Sequence, residues 1–277
     1  MGAASLGYRW LRAAATFDPA HGLPADPFAT GRARQEAEAL RRLLKGPLDL
    51  TGAALKALPL REAGTALALW RWGRLQVRDG RFDAALRRIW EDRLLTAGPA
   101  LTRGYALRHA LCWALAEQDE ARFAAVRAQA GQGSEDTIAG FQRLFGLLGG
   151  PSPELRLWTL PGLAYRDLRL DQLGGHHIWI CPAEGEALPE LPAGTVWIIP
   201  SASGSLEERD ASLSPALLAE GETLAGRLRA AGRSASFAPS QAAFEHLGLD
   251  WFPILIDLDE KGSIRAVRMG DAAPARP

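Results

Sequence analysis

Hydrophobic and polar positions follow two different rhythms along the chain, and the change falls near residue 150. From Gly31 the rhythm is helical. Ala37, Leu40, Leu43 and Leu44 recur at three- and four-residue steps and predict a helix over 31–45, ended by Gly46-Pro47. A shorter helix is expected over 50–58. Residues 66–99 carry the strongest pattern, two apolar-faced helices joined by the turn Arg78-Asp79-Gly80-Arg81-Phe82-Asp83 and closed by Gly98-Pro99. Another amphipathic pair spans 105–128, with Leu107, Leu111, Ala114, Leu115, Ala121 and Phe123 on its apolar faces. A further helix over 137–148 stops at Gly149-Gly150. Upstream, residues 1–30 hold an amphipathic piece around Tyr8 to Ala15, then loop punctuated by Pro19, Pro24 and Pro27.

Gly149-Gly150-Pro151-Ser152-Pro153 separates the two rhythms and is expected to divide a helical domain, 1–150, from an α/β domain, 151–277. Beyond it, residues 155–160 and 165–170 alternate in the period of a strand. Residues 176–181 and 195–200 are nearly continuous in apolar side chains, as strands covered on both faces are. A helix is expected over 214–231, capped by Ser214 with Pro215 in its first turn, and another over 240–247. The stretch 249–270 then reads as a hairpin. Pro253 forces Phe252 towards an extended conformation. Ile254, Leu255, Ile256 and Leu258 form one strand, Asp259 to Gly262 the turn, and 263–269 the return strand. From residue 176 the expected order is strand, short helix, strand, helix, helix, strand, strand.

Two resemblances follow from these motifs. Residues 66–99 resemble a tetratricopeptide repeat, with Gly73 where a small residue lets two helices approach, Gly80 ending the first helix, and Phe82 with Ala85 opening the second. Gln76 and Asp92 depart from that pattern. The 249–270 hairpin, with its proline before an apolar run and Asp-x-x-Gly turn, resembles the last two strands of thioredoxin-like domains. That resemblance implies a cis Phe252–Pro253 bond facing a functional site, and a thiol motif after the first strand. Cys181-Pro182 matches the first half of such a motif, but Glu184 stands where the second cysteine would be. The last helix of that family is also missing, since residues 271–277 hold two prolines in seven positions.

Chemistry narrows the reading further. A single thiol cannot resolve a mixed disulfide within its own motif, so dithiol oxidoreductase activity is not expected. Glu184 disfavours the Cys181 thiolate, and Gly185 weakens the helix that would support it. A small residue closing a central strand accounts for Cys181 as well. Cys112 lies on an apolar helix face and is expected in the core. His176 and His177 project to opposite faces of one strand, so no metal site is expected there, and no cofactor motif is found. Gly131-Gln132-Gly133-Ser134 follows a helix and reads as a linker. Net charge is zero, which gives no basic footprint for nucleic acid, and no apolar run reaches membrane-spanning length. Arginine dominates over three lysines and asparagine is absent, a coding bias without chemical meaning. The first ten residues lack an apolar signal core, so a cytoplasmic protein is expected, or a periplasmic one if a signal was removed.

The expectation is therefore a two-domain protein, tetratricopeptide-like helical hairpins followed by a thioredoxin-like mixed sheet, that binds a protein or peptide partner in assembly or chaperone-like work. Trp251, Phe252 and Pro253 would present one binding edge, and Trp72 or Trp90 would line a groove between helices. The alternative is a monothiol enzyme with Cys181 as its nucleophile.

Overall fold

A computed structural model describes residues 32–46, 48–159, 164–173, 176–180, 195–200, 223, 226, 230, 234–238 and 253–273. Among them seven helices come first: α1 (Arg32–Lys45), α2 (Leu48–Ala57), α3 (Ala63–Arg78), α4 (Ala84–Ala97), α5 (Ala100–Glu117), α6 (Glu120–Gln129) and α7 (Glu135–Leu147). Seven strands follow: β1 (Glu154–Thr159), β2 (Ala164–Arg169), β3 (His177–Ile180), β4 (Thr195–Pro200), β5 (Ser234–Ala238), β6 (Ile254–Leu258) and β7 (Ile264–Met269). The layout is helical in its N-terminal part and α/β in its C-terminal part. Two compact units result, residues 1–111 with 124–134, and residues 112–123 with 135–277.

The first unit is built on aromatic packing between α3 and α4. Gly73 lets them approach: a β-carbon there would lie 2.1 Å from the Trp90 indole. Trp90 is wholly buried and donates its ring N–H to the Leu69 carbonyl at 3.1 Å. The turn between them works as its residue types demand. Gly80 takes φ +67°, a left-handed conformation that costs glycine little. The Gln76 carbonyl accepts from the N–H groups of Arg81 and Phe82, and Asp83 caps α4 by accepting from the Leu86 N–H at 2.7 Å. The start of α3 is capped from a distance. Glu36 on α1 is buried, and its two carboxylate oxygens accept from the N–H groups of Arg61 and Glu62 at 2.9 and 3.0 Å.

The second unit carries a mixed sheet of order β2-β1-β5-β4-β3-β6-β7. β3, β4 and β5 run parallel; β6 pairs antiparallel with β3, and β7 with β6. All five residues of β6 are buried, as its short apolar run predicts. β5 was not expected. Ser234-Ala235-Ser236-Phe237-Ala238 holds no β-branched residue, and its pairing with β4 and β1 makes it a strand where propensity does not. Residues 223, 226 and 230 are helical, within the helix expected over 214–231. The helix expected over 240–247 lies outside the described residues.

Residues 149–153 do mark the change from helix to strand, but they are not a loose tether. Gly149 donates to the Ile264 carbonyl at 2.8 Å, Ile264 donates back to Gly150 at 2.9 Å, and Ser152 donates to Gly262 at 3.2 Å. The segment thus runs along the start of β7, with Pro151 bridged to Ser263. Gln118 supports the same strand. It takes φ +54° where α5 ends, and its side-chain amide donates to the Arg265 carbonyl at 2.8 Å.

Candidate functional site

The β6–β7 hairpin positions the most chemically distinctive cluster of the second unit. Strand alternation and register place His177, Trp179, Leu255, Asp257 and Arg268 on one face, and Ile178, Ile180, Ile254, Ile256 and Met269 on the other. His177 stands directly opposite Asp257 across β3 and β6. Its Nδ1 lies 2.7 Å from Asp257 Oδ1, and Arg268 Nη2 lies 2.5 Å from Asp257 Oδ2. A carboxylate only accepts, so His177 Nδ1 carries the hydrogen and the imidazole turns its Nε2 away from the pair. His177 and Arg268 side chains are 34% and 38% exposed, while Asp257 between them is buried. Trp179, two residues along the same face, is 1% exposed, and among the described residues its indole N–H has no hydrogen-bond partner.

Next to this row, Asp171, His176 and the Asp259–Gly262 turn line a cleft of about 330 Å³. Two of its carboxylates, Asp259 and Asp171, are occupied by the fold. Asp259 Oδ1 accepts from the N–H groups of Lys261 and Ser263 and so closes the turn. Asp171 accepts from the Ser152 hydroxyl at 2.7 Å and from Arg169 Nε at 3.0 Å and Nη2 at 3.1 Å. The Ser152 hydroxyl first, and Arg169 second, hold its carboxyl below the ordinary aspartate value. Gly262, at φ +77°, leaves no room here: a β-carbon would lie 2.6 Å from the Asp171 β-carbon.

In the first unit the exposed large apolar side chains, among the described residues, lie on α5. Leu101 is 55% and Tyr105 41% exposed, the large apolar residues left open to solvent among those described. They stand one turn apart on one helix face, with Gly104 beside them and open space over its α-carbon. Tyr105 is backed by a ring stack. Its ring lies 5.9 Å from Trp70, and Trp70 lies 5.1 Å from Trp90, with interplanar angles of 19° and 11°. His109 meets both indoles edge-on, and its Nδ1 lies 2.9 Å from Glu91 Oε1 in the same buried interior.

No family model, curated protein or solved structure matches the chain.

The residues expected from sequence fall out unevenly. Cys181, Trp251 and Phe252 lie outside the described residues, and with them the Phe252–Pro253 peptide bond. Pro253 is partly buried, and its carbonyl accepts from the Gly270 N–H at 2.8 Å. Trp72 and Trp90 are not groove-lining: both are buried, Trp72 edge-on to Phe82 and Trp90 against Gly73. Among the described residues the surface ring of that unit is Tyr105, which the sequence pattern did not single out. Its signal was present, since Leu101 and Tyr105 share a face that the buried Thr102, Ala106 and His109 do not. Cys112 is a buried thiol outside any disulfide. Among the described residues no cluster of His, Cys, Asp or Glu could hold a metal ion, and no helix is long and apolar enough to cross a membrane.

Proposed function

We propose that this protein works by holding a protein or peptide partner, with a tetratricopeptide-like helical unit and a redox-silent thioredoxin-like unit, in an assembly or chaperone-like role. The observation that carries the reading is the Leu101–Tyr105 pair on α5. Two large apolar side chains on one exposed helix face stabilise a complex when a partner covers them; each is already about half buried, so the remaining area contributes roughly 1 kcal/mol apiece. Tyr105 is already ordered by its stack on Trp70, which reduces the entropy that binding must freeze. The tetratricopeptide resemblance is supported by the close Gly73–Trp90 approach and by the Gly80 turn. The thioredoxin resemblance is supported by the run β4-β3-β6-β7, in which two parallel strands meet an antiparallel hairpin preceded by Pro253. Glu184 in place of a second cysteine supports binding over thiol exchange.

The test is comparative capture from the source cells, with quantitative mass spectrometry of what each variant retains. Leu101→Glu/Tyr105→Glu is expected to lose the proteins that the unaltered chain retains, with its circular dichroism unchanged. Cys181→Ser is expected to keep them. Capture that survives the α5 double variant and disappears with Cys181→Ser overturns the reading in favour of a monothiol enzyme.

A further inference from the structure

Net neutrality hides an opposition between the two units. The first, residues 1–111 with 124–134, holds nineteen Lys and Arg against ten Asp and Glu, a net charge of +9. The second holds thirteen against twenty-two, a net charge of −9. Pairing within the first unit cannot cancel its excess, because ten carboxylates neutralise ten cations and nine remain. The helical unit is therefore cationic, whatever ion pairs form on it.

Part of that charge flanks the exposed apolar pair. α3 carries Arg71, Arg74 and Arg78, and the part of α5 in this unit, residues 100–111, carries Arg103 and Arg108; neither stretch holds a carboxylate. Arg108 stands seven residues beyond Leu101 and three beyond Tyr105, so all three lie on one stripe of α5. Arg74 is exposed, and its guanidinium carbon lies 5.8 Å from the centre of the Trp70 ring on which Tyr105 stacks. Both arginines also make contacts within the fold, but one partner does not exhaust the five N–H donors of a guanidinium. The result is an apolar pair with an arginine on α5 and another on α3 beside it.

We propose that the partner of this face is an acidic polypeptide segment, whose apolar side chains cover Leu101 and Tyr105 and whose carboxylates meet Arg74 and Arg108. This rests on the partner-binding reading of α5 and names the chemistry of the partner. A second copy of the chain fits poorly, because docking through this face would set Arg74 and Arg108 against the same residues of the other copy, and like charges brought together are costly. Nucleic acid answers the charge but not the centre of the face: bases gain from stacking on rings, and Leu101 offers none. Carboxylates suit the arginines, because the guanidinium fork takes a carboxylate in two parallel hydrogen bonds. The net charge of the unit draws such a segment in from a distance, so association slows as ionic strength rises.

The experiment measures, by fluorescence anisotropy, the binding of three labelled synthetic peptides to the full chain. All three place leucine and phenylalanine on one helical face, and the other face is built from Glu, Gln or Lys. The expected result is saturable binding of the Glu peptide, about tenfold tighter than the Gln peptide or more, with the Lys peptide weakest. In Arg74→Gln/Arg108→Gln the Glu peptide is expected to lose this advantage, while the Gln peptide binds as before. Leu101→Ser/Tyr105→Ser is expected to weaken both. Equal affinity for the Glu and Gln peptides, lost in Leu101→Ser/Tyr105→Ser, overturns the acidic partner and leaves the partner-binding reading standing. Glu-peptide binding that survives Leu101→Ser/Tyr105→Ser unchanged overturns both, since the apolar pair is then not the contact. No binding of any peptide overturns the acidic partner alone, and capture from the source cells judges the reading. Unchanged Glu-peptide affinity in a folded Arg74→Gln/Arg108→Gln also overturns it, as does displacement of that peptide by a lower concentration of a single-stranded oligonucleotide of equal charge, which would assign nucleic acid. If Arg74→Gln/Arg108→Gln fails to fold by circular dichroism, the order of the three peptides on the unaltered chain decides, and equal affinities overturn the proposal.

Discussion

The two units spend their polar residues differently. In the helical unit, buried charge serves the scaffold. Glu36 caps α3 from another helix, and Glu91 with His109 sits against a tryptophan stack. In the sheet unit the corresponding residues stand at a margin: Asp257 is buried, but both its partners reach solvent. Among the described residues, the large apolar side chains that the helical unit turns outward are Leu101 and Tyr105. The helical unit thus exposes a paired apolar face, and the sheet unit a polar row around a buried carboxylate.

The sharpest way to break this contrast is to remove the centre of the aromatic stack. Trp90→Ala is expected to cost about 3–5 kcal/mol, the range for large aromatic truncations in a core. Denaturant unfolding followed by circular dichroism measures it. Hydrogen exchange across β6 in the same variant is expected to stay slow, because Trp90 packs within the first unit. A loss below 1 kcal/mol would mean that the stack is not what holds the helices.

Glycine substitutions compare the two units at equal chemical cost. Gly73→Ala drives a β-carbon into the Trp90 ring, and Gly262→Ala combines a positive φ with a contact on Asp171. Each is expected to destabilise by about 1–3 kcal/mol, with Gly262 carrying the added strain of its backbone. Thermal unfolding should show both falling, while Gly80→Ala, with positive φ and open space, loses about 1 kcal/mol. Equal losses at all three positions would refute the packing argument.

The smallest effect concerns Asp171. Its folded-state pKa lies below the ordinary aspartate value of 3.8, so it contributes stability that is present above that value and is lost as pH falls through the depressed one. Asp171→Asn should therefore lower the melting temperature slightly at pH 7, and the difference should shrink towards pH 3. A gap that stays constant with pH would show that the Ser152 and Arg169 contacts do not depend on the carboxylate charge.

Much of the scaffold was legible because local signals agreed with each other. The turn 78–83 has its glycine and its capping aspartate in place, and residues 254–258 are a strand as their apolar run requires. β5 was illegible because its small residues have no strand preference, and only β4 and β1 make it one. The polar row was missed for a different reason. His177 and Asp257 are 80 residues apart, and only the sheet register brings them together. Read alone, Asp257 is an interruption in an apolar run, and His177 is one member of a pair that cannot share a metal. The groove assigned to Trp72 and Trp90 failed because spacing gives the face of a helix but not what covers it.

Partner binding in place of thiol chemistry is tested most directly at Cys181. The measurement is the rate of alkylation of Cys181 against pH, in a Cys112→Ser background so that one thiol reports. The expected result is slow reaction at neutral pH with an apparent pKa near about 8.5, the ordinary thiol value, or above it. Rapid reaction at about pH 6–7, with an apparent pKa well below that of free cysteine, would contradict it and make Cys181 a nucleophile.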